Sequence, residues 1–95
     1  MPATLAPPEN SIFDPLSFSV SDATGVQELE FDNVDGHRTV DDVAMSVAEA
    51  MDLDLSLPYG LRDDLKARML IDERPLGAQI APGSKLVVVP KSHLG

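Results

Sequence analysis

Apolar and polar residues alternate from Leu16 to Ser21 (LSFSVS), which places Leu16, Phe18 and Val20 on one face of a half-buried strand. Asp22-Ala-Thr-Gly25 carries turn chemistry, including a glycine able to take positive φ. Strand character resumes over Val26–Phe31 with Leu29 and Phe31 on one side, so the two segments predict a hairpin. Asp32–Arg38 reads as a polar loop that turns at Asp35-Gly36. The apolar period then lengthens from two residues to the helical value. Val40, Val43, Val47 and Met51 form one stripe, with Ala44, Ala48 and Leu55 beside it. Thr39 precedes the stripe as a capping residue, and Asp42 completes a T-x-x-D capping box. Asp41 and Asp42 also suit the positive end of a helix dipole. This spacing describes a helix packed on a sheet rather than a face for a partner helix, and its end is expected within Asp52–Ser56.

In the second half, Pro58-Tyr-Gly60 reads as a turn and Leu61–Leu65 as a short helical turn or irregular link. Ala67–Ile71 (ARMLI) is the expected third strand, with Met69 and Ile71 toward the core and Leu70 on the opposite face. Asp72–Pro75 is a tight turn, Leu76 and Ile80 anchor the next link, and Pro82-Gly83 turns the chain into Leu86–Val89. That last run is apolar on both faces, which describes a central strand, and Pro90, lacking an N–H, ends it. A final strand buried on both sides must lie between earlier ones. Setting it beside the first strand and parallel to it, with the helix across one face, gives an α+β β-grasp roll. Its sheet is mixed, of four to five strands, with one main helix packed across it. Residues 1–15 hold four of the eight prolines and are expected to form a flexible arm. Residues 16–90 would be the folded domain and residues 91–95 a flexible tail.

Composition narrows the chemistry. Sixteen acidic residues against seven basic ones give a net charge of −9, which disfavours binding to a phosphate backbone. The acidity suits a basic partner surface and, more simply, keeps a small protein soluble. With no cysteine there is no disulfide, thiolate metal site or cysteine nucleophile, which fits the cytoplasm. No apolar run approaches membrane-span length, and no basic-then-apolar leader opens the chain. His37 and His93 have no metal-site spacing, and Asp32, Asp35 and Gly36 lack the remaining ligands of a calcium loop. Asp41-Asp42 and Asp63-Asp64 read as a helix start and a solvated surface. No metal, cofactor or enzymatic activity of the chain's own is expected.

In this order of elements the chain resembles the ubiquitin-like family. The resemblance covers about residues 16–95. It rests on the hairpin with its Thr24-Gly25 turn, the capped start Thr39-Val40-Asp41-Asp42-Val43, and Arg68-Met-Leu-Ile71 followed by a four-residue turn and Leu76. The specific part is the run from Arg68 through Ile80 and Ser84–Val89, with its six-residue tail, to Gly95. The resemblance implies a protein modifier activated at the carboxylate of Gly95 and joined to target proteins by an isopeptide bond. Its implied partners are an E1-like activating enzyme, an E2-like conjugating enzyme, a deconjugating protease and a target, with no nucleic acid and no membrane. ATP would be consumed by the activating enzyme. By position, Leu70, Val87 and Val89 resemble the family's apolar partner-binding patch, and Lys91, His93 and Leu94 would be read by the enzymes that thread the tail. The Pro-rich arm and the composition resemble divergent bacterial members. The chain departs from the family pattern in ending Leu94-Gly95 rather than in two glycines. It also carries Arg74 at a turn position that often holds a branching lysine, leaving Lys66, Lys85 and Lys91 as its lysines.

A carboxylate joined to another protein must be adenylated and then captured by a nucleophile inside a narrow active site. A residue without Cβ at the reacting end allows the closest approach. Two further readings stand beside the modifier: a non-covalent β-grasp adaptor subunit of a secretion or oxygenase complex, for which the tail is expendable, and a sulfur carrier ending in a thiocarboxylate.

Overall fold

The computed structural model describes residues 15–91. Five strands and one helix follow in the order β1 (Leu16–Ser21), β2 (Glu28–Val34), α1 (Val40–Ala50), β3 (Tyr59–Asp63), β4 (Arg68–Met69) and β5 (Ser84–Pro90), with a 3₁₀ turn at Leu76–Ala78. The sheet order is β2-β1-β5-β3-β4. β5 runs parallel to β1 and antiparallel to β3, so the last strand occupies the centre, as its two apolar faces require.

The hairpin β1–β2 follows the alternation. Leu16, Phe18 and Val20 are buried, and Phe18 stacks on Phe31 with ring centroids 5.7 Å apart. β2 continues three residues past its expected end. It pairs Val34 with Leu16 and Phe31 with Phe18, so β2 carries one extra residue, and Asn33 takes φ 60° there. This is a β-bulge, a device invisible to a strict two-residue period.

Helix α1 presents Val40, Val43, Ala44, Val47 and Ala48 to the sheet. Its N-terminus departs from the expected box. The Thr39 hydroxyl accepts from the Asp42 amide at 3.4 Å, but the Asp42 carboxylate turns to Arg38, whose Nε donates to it at 2.7 Å. The amides of Val40 and Asp41 instead donate to the carbonyls of Arg74 and Asp72, both at 3.1 Å. The helix start is thus closed by the Thr39 hydroxyl and a neighbouring turn together, without the return bond of a capping box. Met51 ends the helix, Asp52 takes φ 60°, and Leu55 lies half exposed beyond it instead of joining the stripe.

The largest correction lies between residues 58 and 71. Tyr59–Asp63, read from sequence as a turn and a helical link, is strand β3, with Leu61 fully buried opposite Val88. Asp63 is buried at its end, where Oδ1 accepts from the amides of Leu65 and Lys66 at 3.0 and 3.2 Å and shapes the turn into β4. Ala67 completes that turn at φ 53°. The expected strand Ala67–Ile71 shrinks to Arg68–Met69. It stops because the Gln79 side chain imitates a strand: Oε1 accepts from the Ile71 amide at 2.7 Å, and Nε2 donates to the Ile71 carbonyl at 2.9 Å. The face assignment inverts as well. Leu70 is 5% exposed, whereas Met69 and Ile71 are 43% and 51% exposed.

That inversion is testable. Leu70→Ala should cost about 2–4 kcal/mol in urea unfolding, the range for an aliphatic core truncation, whereas Met69→Ala should cost less than about 1 kcal/mol. At the helix start, the hydrogen bond from Arg38 holds the Asp42 carboxyl below its ordinary value of 3.8. A carboxyl lowered by folding adds stability that is complete above its unfolded value and is lost as pH falls through the folded one. Arg38→Gln should therefore raise the Asp42 midpoint toward the ordinary value in an NMR titration.

Candidate functional site

The face of the sheet turned away from α1 can be built from the strand registers. Ser21 pairs with Glu28 on one side and Val87 on the other, and Val87 pairs with Arg62, which pairs with Met69. These residues form one row across all five strands. They alternate with the buried Val20, Leu86, Val88 and Leu61, and so point outward. In the next row Val89 pairs with Gly60. Val87 and Val89 therefore reach the open face as the sequence predicts, but Leu70 does not join them. It points into the core, and Met69 takes its place beside Arg62. Gly60, Arg62 and Met69 were missed because β3 was missed. The available signal was Leu61, whose alternation with its neighbours makes sense once the apolar run 86–89 is seen to need a partner on both sides.

The face has two chemical halves. Toward β2 it is polar and acidic, with Ser19, Glu30 and Asp32 beside Lys85 around a shallow groove of about 280 Å³. Toward β3 and β4 it is apolar and cationic, with Val87, Val89 and Met69 around Arg62, whose Nη2 donates to Asp64 Oδ1 at 3.1 Å. The whole chain follows this division. Residues 15–58 hold ten carboxylates and one cation, Arg38, whereas residues 59–91 hold four carboxylates and six cations. The negative net charge is thus concentrated away from the Val87–Val89 region.

The root of the tail is tied down. The Lys91 amide donates to the Pro58 carbonyl at 2.9 Å, and Lys91 Nζ donates to Asp72 Oδ2 at 2.5 Å. The Lys91 side chain, expected to reach outward from a flexible tail, is engaged with its own domain. Gly60 makes the space: a Cβ there would lie 3.1 Å from Met69 Cε, 3.4 Å from Lys91 Cδ and 3.6 Å from Asp72 Oδ1. Asp72 Oδ1 is buried against this trough without a hydrogen-bond partner. Ile12 and Phe13 of the arm, and His93, Leu94 and Gly95 of the tail, lie outside the described residues. Among the described residues no group of three or more His, Asp or Glu side chains could hold a metal ion, and no helix is long and apolar enough to cross a membrane.

No protein-family model and no curated protein matches the sequence. Solved structures do match. Ubiquitin of Caldiarchaeum subterraneum is 25% identical at a TM-score of 0.65, over 82% of this chain and 95% of that one. The ubiquitin-like domain of Plasmodium falciparum Dsk2 is 19% identical at a TM-score of 0.63, over 80% and 97% of the two chains. A structure described under molecular mimicry of SUMO in DNA repair is 10% identical at a TM-score of 0.66, over 80% and 91%. Each likeness spans nearly the whole of the matched protein. The chain has the ubiquitin-like β-grasp fold.

Proposed function

We propose that this chain is a cytoplasmic ubiquitin-like protein modifier, activated at the carboxylate of Gly95 and conjugated to target proteins by E1-type and E2-type enzymes. The observation that supports this reading most is that one strand serves both tasks. β5 carries Val87 and Val89 on the open face and runs directly into Lys91, the root of the tail. An enzyme that grips this face therefore receives the tail at a fixed offset from its grip. From Lys91 to Gly95 an extended chain reaches at most about 14 Å, enough to enter a narrow active site while the domain stays outside.

The chemistry belongs to the partners. In the activating enzyme the Gly95 carboxylate attacks the α-phosphate of ATP and pyrophosphate leaves. A thiol then displaces AMP from the acyl adenylate, and an amine of the target finally displaces the thiol. This chain supplies the positioned carboxylate, the grip residues Val87, Val89, Met69 and Arg62, and a tail whose Leu94 requires a channel wide enough for an isobutyl group. A protease able to remove the modifier would read His93 and Leu94, and Lys91 once its side chain leaves Asp72.

Trypsin cleaves after Lys91, so a target joined through Gly95 keeps a Ser-His-Leu-Gly remnant on its acceptor side chain. The tagged chain, expressed with its candidate enzymes and ATP, is expected to yield that remnant by mass spectrometry, and deletion of Gly95 is expected to abolish it. If partners are captured in quantity while every tail is recovered free, the modifier reading fails. The open face would then serve a non-covalent adaptor.

A further inference from the structure

The Lys91–Asp72 pair differs from the other ion pairs of the domain. Its two side chains are each 26% exposed, against 43% and 50% for Arg62–Asp64 and 35% and 58% for Arg38–Asp42. It also spans 19 residues of sequence, whereas those pairs join near neighbours. Asp72 is held from both sides. Its carbonyl accepts from the Asp41 amide at the start of α1, and the preceding residue, Ile71, is gripped through both backbone groups by Gln79. Lys91 crosses the sheet surface where Gly60 leaves room for its methylenes, and its own amide is fixed to Pro58.

We propose that Asp72 is a positioning residue that latches the root of the tail. By holding Lys91 over Gly60 it fixes the direction in which the chain leaves β5 and withholds Lys91 from the specificity pocket of trypsin-like proteases. A trypsin-like pocket binds a lysine by enclosing its stem and pairing its ammonium with a carboxylate. In the latched domain Asp72 already occupies the ammonium and the sheet covers the stem, so cleavage after Lys91 requires the latch to open first. For a modifier this protects the segment that carries Gly95; that consequence rests on the proposed function, whereas the latch itself does not.

Limited trypsin digestion of the full chain, followed by intact-mass analysis, tests the proposal. Cleavage after Lys91 is the readout, and cleavage after Lys85, inside β5, reports opening of the whole domain. Asp72→Asn keeps the shape and removes the charge, and it should speed cleavage after Lys91 about fivefold while leaving Lys85 unchanged. Gly60→Leu fills the trough from the opposite side and should do the same. Lys91→Arg keeps the pairing and a tryptic site, and should stay near the parent rate. The latch is overturned if Asp72→Asn cleaves after Lys91 at the parent rate, or if both variants speed Lys85 and Lys91 in equal measure. Persistent protection of Lys91 with no remnant ever found on a target would sustain the latch and remove only its part in conjugation.

Discussion

The constraint on which the rest of the structure depends is the central position of β5. Its run Leu86-Val-Val-Val89 is apolar on both faces, so it is stable only between two neighbours and under a helix. β1 supplies one neighbour in parallel and β3 the other antiparallel. A parallel neighbour cannot be reached by a hairpin, so the chain between β1 and β5 must cross over the sheet. That crossover contains α1, whose stripe covers the inner halves of all these strands. The outer halves of β5, Val87 and Val89, remain on the open face. The same strand therefore builds the core, presents the candidate binding face and ends at the tail root.

A second set of contacts joins the two ends of the functional region. The segment 72–79 lies along residues 36–41 through four backbone hydrogen bonds: Val40 to Arg74, Asp41 to Asp72, Leu76 to Arg38 and Gly77 to Gly36. These close the helix start and hold in place the turn that carries Asp72. The Lys91 latch thus leans on a rigid support rather than on a mobile loop. This explains how a single half-buried ion pair can set the direction of the chain, a task for which an exposed pair contributes too little.

The distribution of charge adds to this picture. Carboxylates gather on β2, α1 and the loops around them, while cations gather on β3, β4, β5 and their turns. The apolar patch is therefore approached across a locally cationic surface despite the acidic chain. Arg62 lies between Val87 and Met69 in the outward row across the sheet, with its guanidinium paired to Asp64.

Much of this was legible in the sequence. The alternation at 16–21, the helical stripe from Val40 and the doubly apolar run at 86–89 each follow from a period that local chemistry imposes, and together they determine a β-grasp with the last strand in the middle. The run is apolar on both faces and leaves the direction of Val87 and Val89 open; their place on the outer face was what the family resemblance implied. What only the tertiary structure decided is which side of the sheet residues 59–71 face. β3 has a single fully buried aliphatic residue between a tyrosine and an aspartate, so its pattern is too thin to announce a strand. It becomes one because β5 and β4 pair with both of its edges. The pairing of Met69 with the outward Arg62 sets the register of β4, which turns Met69 outward and Leu70 inward, while the Gln79 side chain ends the strand. Register in a sheet has a period of two, and one long-range contact is enough to reverse every face that local sequence proposes.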